Sequence, residues 1–197
     1  MRTRIKICGL TQLADAELAA ELGADALGFN LEPSSRRSIH DNPEALSIPA
    51  RLGPYVLCAA VLGPYRPTPP QFHMIQCVDD LPKSETRPRL KVVRVGPDET
   101  VETILARIGD RAAVLLDAFD PQLYGGTGRR VDWALAAEVV VRCQAKVILA
   151  GGLTPENVAA AIQWVRPYAV DVCGGVEAEP GIKDAGKLRA FVQAAKG

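Results

Sequence analysis

Short runs of branched and apolar residues recur along the chain at Arg4–Cys8, Ala26–Asn30, Tyr55–Val61, Met74–Val78, Lys91–Val95, Ala113–Asp117, Lys146–Ala150 and Ala169–Val172. Runs of this length between turn-forming residues predict strands. Between most of them, apolar residues repeat at i, i+3, i+4 and i+7. The repeat is clearest in Val101/Ile104/Leu105/Ile108, Trp133/Ala136/Ala137/Val140, Val158/Ala161/Ile162/Val165 and Leu188/Phe191/Val192/Ala195. That period predicts helices with one buried face. Thr11 ahead of the first helix and Thr154-Pro155 ahead of the helix after the seventh strand are the expected start signals. Eight strands interleaved with helices predict an α/β fold, a (β/α)₈ or TIM barrel formed by one domain over residues 1–197. An open doubly wound sheet is the alternative.

One stretch breaks the alternation. Between Gly63 and His73 the chain carries four prolines where the third helix belongs, and proline removes the N–H and the space that a helix interior needs. The next connection, from Asp79 to Leu90, is short and contains Pro82 and Pro88. The third helix is therefore expected to be missing, and the fourth missing or reduced to a turn. The outer face of strands three and four must then be covered by the proline-rich segment or by a partner subunit, so monomer and homodimer both stay open.

Composition narrows the function classes. With 197 residues, 48% of them hydrophobic, the chain can bury one full core. Its 23 basic and 23 acidic residues balance, so no nucleic-acid partner is expected. No apolar run reaches the ~18 residues of a membrane span and the N-terminus opens directly into a strand, so the expectation is a cytoplasmic protein with no membrane partner. Five scattered cysteines without a Cys-x-x-Cys pair, and two histidines without a nearby second ligand, predict neither a disulfide framework nor a metal site.

The candidate chemistry gathers at strand ends. Cys8 closes the first strand, where a parallel barrel keeps its active site, and reads either as a catalytic base or as a small buried hydrophobe. Lys6 shares its strand face. Asp117 closes the sixth strand at the same predicted end, and Asp171 ends the eighth, within reach of a sugar hydroxyl. Gly151-Gly152 and Gly174-Gly175 follow strands seven and eight, the position at which barrel loops bind phosphate through backbone N–H groups. The longer run Tyr124-Gly125-Gly126-Thr127-Gly128 suits a lid over the substrate. Arg36 and Arg37, in the loop after strand two, can clamp a carboxylate. Cys58, Cys77, Cys143 and Cys173 are assigned to packing.

Several of these segments occur together in one known family. Lys6-Ile7-Cys8-Gly9-Leu10-Thr11, Gly23-Ala24-Asp25-Ala26-Leu27-Gly28-Phe29, Leu115-Leu116-Asp117, Tyr124–Gly128 with Asp132-Trp133, Ala150–Val158, Val170-Asp171-Val172 with Gly175-Val176-Glu177, and Pro180-Gly181-Ile182-Lys183-Asp184 resemble phosphoribosylanthranilate isomerase. The likeness covers the first forty residues and most of the chain after Ala113. The middle departs from it: the histidine that the family carries at the end of strand four is absent from Ile75-Gln76-Cys77-Val78-Asp79, and a family Ser-Ser is replaced by Cys173-Gly174.

The resemblance implies an Amadori rearrangement in tryptophan biosynthesis, converting N-(5-phosphoribosyl)anthranilate to 1-(2-carboxyphenylamino)-1-deoxyribulose 5-phosphate without a cofactor. It makes Asp117 the general acid, Cys8 the base at C2 of the sugar, Arg37 the holder of the anthranilate carboxylate and the glycine pairs the holders of the phosphate. The eroded middle keeps two alternatives open, a non-catalytic phosphate-binding barrel and an isomerase of a related phosphorylated aminoaldose.

Overall fold

The computed structural model describes residues 2–118 and 131–197. Eight parallel strands, β1 (Arg4–Ile7), β2 (Ala26–Asn30), β3 (Leu57–Val61), β4 (Met74–Cys77), β5 (Arg89–Val95), β6 (Ala113–Ala118), β7 (Lys146–Leu149) and β8 (Ala169–Val172), close into a barrel in sequence order, with β8 pairing back to β1. All eight predicted strands are present, two with the predicted bounds and the others with one end displaced by one or two residues. Among the described residues six helices cover the barrel: α1 (Leu13–Glu21), α2 (Pro43–Arg51), α3 (Val101–Ile108), α4 (Trp133–Arg142), α5 (Val158–Val165) and α6 (Ala185–Lys196). After β8 a single 3₁₀ turn and a small antiparallel hairpin, β9 (Glu177–Glu179) with β10 (Ile182–Lys183), precede α6.

No helix joins β3 to β4 or β4 to β5, as the prolines predict. The chain covers the gap itself. Phe72 is fully buried with its ring 6.0 Å from that of Phe29, and Tyr65 and Leu81 pack on the same core. Arg87 fastens the segment by donating to the carbonyl of Pro69 and to both oxygens of Glu85, which also accepts from the Tyr65 hydroxyl. Beneath this cover the outward-facing residues Cys58, Ala60, Ile75 and Cys77 are fully buried.

Helix ends follow local chemistry. Asn42, Thr100, Asp132 and Asp184 accept hydrogen bonds from first-turn N–H groups of α2, α3, α4 and α6. Two expected caps are corrected. Gln12, not Thr11, precedes α1, and the Thr11 hydroxyl instead donates to the Gly181 carbonyl at 2.6 Å, tying the β1 loop to the hairpin. At the start of α5 it is Asn157 that organises the turn, accepting from Thr154 N at 2.8 Å and donating to the Gly152 carbonyl at 2.9 Å.

Inside the barrel, Leu90, Leu115, Ile148, Ala150 and Ala169 form an apolar plug. At its lower end the Tyr168 ring carries the Arg4 guanidinium 4.5 Å from its centroid. At the other end, inward positions turn polar, and Lys6, Asn30, Gln76 and Asp171 are buried. The core thus leaves one open end, where the strands' C-termini meet.

Candidate active site

A cavity of about 480 Å³ opens at that end, with Cys8, Arg37, Asp117, Asp171, Gly152 and Gly175 among its lining residues. Asp117 and Asp171 reach it from β6 and β8 and Cys8 from the end of β1, the glycine pairs lie in the loops after β7 and β8, and Arg37 arrives from the loop after β2.

Cys8 is buried beside Lys6, whose ammonium donates to Asp171 Oδ1 at 2.6 Å, both side chains being almost wholly enclosed. A bare glycine makes this possible. A Cβ at Gly28 on the adjoining strand would sit 2.7 Å from Cys8 Sγ and 2.9 Å from Lys6 Nζ. The neighbouring Cys173 thiol and the nearby Lys6 charge outweigh burial and the Asp171 carboxylate, and bring the Cys8 thiol down to about 7. Burial pulls Lys6 toward neutrality, but Asp171 and the Cys8 sulfur more than reverse this and keep it charged. The buried-hydrophobe reading of Cys8 does not account for these neighbours.

Asp117 faces Cys8's cavity from β6, with its own Ala118 N–H donating to Oδ1 at 2.9 Å. Burial, reinforced by the Asp171 carboxylate, lifts it to about 6. The two titratable groups have moved toward each other, so that a carboxyl can hold a proton while a thiol gives one up.

Arg37 is held by a neighbour whose part the sequence did not reveal. Its Nε and Nη2 donate to the two Glu177 oxygens at 2.8 and 2.6 Å. Glu177 also accepts from the fully buried Lys183 at 3.0 Å. Burial would raise the Glu177 carboxyl, but the Arg37 fork and Lys183 hold it at about 2. Lys183 donates further to the carbonyl oxygens of Cys8 at 2.6 Å and Cys173 at 3.2 Å. Three cations, Lys6, Arg37 and Lys183, stand against three carboxyl groups, Asp117, Asp171 and Glu177, with the Lys6–Asp171 and Lys183–Glu177 pairs already in contact.

The glycine pairs meet as expected. Gly151 and Gly152 take positive φ values of 85° and 64°, conformations that favour glycine. Gly175 is packed so tightly that a Cβ would lie 1.9 Å from the Leu153 carbonyl oxygen. The N–H groups of Gly174 and Gly175 open the 3₁₀ turn and have no partner within it. Together with the α5 terminus they form a concave backbone surface able to hold a phosphate without a lysine.

Cys173 requires a correction: it is half-buried at the cavity, its S–H donating to Glu177 Oε1 at 3.8 Å, rather than packed in the core. Cys58 and Cys77 do lie in the core. Glu177 and Lys183 were visible only as parts of motifs, and their pairing joins segments that no local pattern connects. The Tyr124–Gly128 run expected to form a lid lies outside the described residues.

Comparison with known proteins places these features in context. A family model described as N-(5'-phosphoribosyl)anthranilate (PRA) isomerase matches residues 80–194. The N-(5'-phosphoribosyl)anthranilate isomerase of Geobacter sulfurreducens is 43% identical over 215 aligned positions, spanning 98% of each chain. The crystal structure of phosphoribosyl anthranilate isomerase from Thermotoga maritima superposes with a TM-score of 0.81 at 37% identity, covering 99% of both chains. A phosphoribosyl anthranilate isomerase solved with reduced 1-(o-carboxyphenylamino)-1-deoxyribulose 5-phosphate gives 0.79 at 34% identity, again over 99% of both.

Proposed function

The chain belongs to the N-(5'-phosphoribosyl)anthranilate isomerase family, and we propose that Cys8 and Asp117 carry out the proton transfers of its reaction. The activity is an aldose–ketose isomerisation in tryptophan biosynthesis: N-(5-phosphoribosyl)anthranilate becomes 1-(2-carboxyphenylamino)-1-deoxyribulose 5-phosphate. The observation that carries the residue assignment is a thiol lowered to about 7 and a carboxyl raised to about 6 at one cavity that also holds a backbone phosphate cradle.

The reaction then runs in two proton transfers. Asp117, protonated, gives its proton to the furanose ring oxygen. The C1–O bond breaks toward that oxygen, and the nitrogen lone pair forms the C1=N bond of a Schiff base. Cys8, as thiolate, removes the proton from C2. The C2–H electrons become the C1=C2 bond and the imine electrons return to nitrogen, giving an enolamine that tautomerises to the ketone. The imine is the electron sink, so no cofactor enters this scheme.

The other residues bind. Gly151, Gly152, Gly174 and Gly175 hold the phosphate through backbone N–H groups. Asp171, fixed by Lys6, meets a sugar hydroxyl with its remaining oxygen. Arg37, with two donors spent on Glu177, turns its remaining guanidinium edge to the anthranilate carboxylate. The partner is thus a small phosphorylated molecule, with neither nucleic acid nor membrane involved, in a cytoplasmic protein that is a monomer or homodimer. Strands β3 and β4 are covered within one chain, which supports the monomer, and no helix among the described residues is long and apolar enough to cross a membrane.

Fluorescence of the anthranilate substrate allows a direct assay. Turnover without added cofactor, lost in both Cys8→Ser and Asp117→Asn with the fold retained, supports the assignment. Retention of wild-type turnover in either variant contradicts it. Rescue of a tryptophan auxotroph lacking this isomerase is the cellular form of the test.

A further inference from the structure

We infer that Lys183 sets the site's preference for a carboxylated substrate: it is a positioning residue that acts through Glu177 on Arg37 and leaves these three charged groups with one positive charge in excess. The inference rests on the proposed role of Arg37 as holder of the anthranilate carboxylate. It explains how an arginine already paired with one carboxylate can take a second.

The hairpin after β8 brings the pair together. Glu177 opens β9 and Lys183 closes β10, and the antiparallel register sets them opposite each other. The Lys183 side chain is fully buried, and its three ammonium donors all have acceptors: Cys8 O at 2.6 Å, Glu177 Oε1 at 3.0 Å and Cys173 O at 3.2 Å. Lys183 is not among the residues that line the cavity, so it has no donor to turn toward a ligand. Its main chain is held as well, the N–H donating to Asp15 Oδ2 at 2.8 Å. Glu177 is enclosed with it. Besides Lys183, Oε1 accepts from Arg37 Nε at 2.8 Å and Gly181 N at 3.2 Å, and Oε2 accepts from Arg37 Nη2 at 2.6 Å. The Arg37 arm reaches this carboxylate over Gly9, where a Cβ would lie 2.7 Å from Arg37 Cδ. Its three remaining guanidinium N–H groups bond to none of the described residues, and Arg37 lines the cavity.

The charges then decide what Arg37 can bind. Glu177, held near 2, is ionised and cancels the charge of Arg37. An anion meeting that pair alone would face a neutral fork with a carboxylate behind it. Lys183 supplies the third charge. The trio carries one net positive charge, which one substrate carboxylate balances, and because all three side chains are largely enclosed that excess is weakly screened. The neighbouring groups do not supply it. Lys6 and Asp171 balance each other, Asp117 can add only a negative charge, and the exposed Arg36 and Glu179 at the cavity rim are opposite in sign.

The test compares two ligands by titration calorimetry, reduced 1-(o-carboxyphenylamino)-1-deoxyribulose 5-phosphate and its counterpart without the carboxyl group. The proteins are wild type, Lys183→Met and the double variant Lys183→Met, Glu177→Gln. Wild type should bind the carboxylated ligand at least about tenfold more tightly. In Lys183→Met that preference should fall by at least about fivefold, with the carboxyl-free ligand bound within about twofold of wild type. Adding Glu177→Gln removes the unbalanced carboxylate, returns the excess positive charge and should restore most of the preference, a rescue that a merely structural lysine would not show. A folded Lys183→Met variant with the wild-type preference, or with equal losses for both ligands, overturns the inference alone. So does a double variant no better than Lys183→Met. No preference in wild type overturns the Arg37 assignment and the inference with it. Should Lys183→Met fail to fold, Lys183→Gln, which keeps donors for the two carbonyls without the charge, decides: a reduced preference supports the inference and an unchanged one overturns it.

Discussion

Cys8 and Lys6 share the space left by one missing methyl group, since a Cβ at Gly28 would meet the sulfur at 2.7 Å and the ammonium at 2.9 Å. Proposed base and neighbouring cation therefore depend on a glycine that contributes no functional group. Gly28→Ala should displace both, lowering kcat/KM by at least about tenfold while costing only the ~1–3 kcal/mol of an overpacked core. Steady-state kinetics with urea unfolding of the same variant checks the pair of expectations.

Asp117 trades stability for its proposed role. Its folded-state value of about 6 lies above the ordinary 3.8, so the ionised form is disfavoured by folding. The associated stability is fully present below pH 3.8 and is lost as pH rises through 6. Asp117→Asn removes the ionisation but can keep the oxygen that accepts from Ala118 N–H. The variant should lose about 10²–10⁴-fold in kcat yet unfold at higher urea than wild type at pH 7, by on the order of 2 kcal/mol. The difference should vanish near pH 3.5. Equal stability at both pH values would contradict the burial of this carboxyl.

The Lys6–Asp171 pair is enclosed on all sides. Asp171→Asn strands a charged lysine in the barrel and should cost about 3–5 kcal/mol, measured by urea denaturation. The same change removes a carboxylate that opposes thiolate formation at Cys8. The pH midpoint of Cys8 alkylation by iodoacetamide should therefore fall below its wild-type value.

Gly175 tests the phosphate cradle. Its missing Cβ is what lets the loops after β7 and β8 touch, with the Leu153 carbonyl 1.9 Å from where that atom would be. Gly175→Ala must push the loops apart. Inorganic phosphate, as a competitive inhibitor of the isomerase, should bind at least about tenfold more weakly, and an unchanged inhibition constant would place the phosphate elsewhere.

The sequence made legible what is written in local periodicity. All eight strands, the two absent helices and the strand-end positions of Cys8, Asp117, Asp171 and the glycine pairs follow from runs, prolines and the geometry of a parallel barrel. Its misreadings concern contacts between distant segments. Thr11 has the composition of a cap, but its hydroxyl is taken by Gly181, 170 residues away. Cys173 reads as a packing cysteine until the turn after β8 sets its thiol at the cavity against Glu177. Glu177 and Arg37 are 140 residues apart, and nothing near either residue in the chain announces their ion pair.

With Cys8 near 7 and Asp117 near 6, thiolate and protonated carboxyl coexist in only about 6% of molecules at pH 6.5 if the two titrate independently. The wild-type kcat/KM should rise to a level region between about pH 6 and 7 and then fall, and residual Asp117→Asn activity should lack the alkaline fall.

The most direct test of the central claim is the kcat/KM of Cys8→Ala toward N-(5-phosphoribosyl)anthranilate at pH 6.5, on protein whose circular dichroism matches wild type. Removing the group that takes the C2 proton should lower it by at least about 10²-fold. A value within a few-fold of wild type would mean that another residue removes that proton and that Cys8 is not the base.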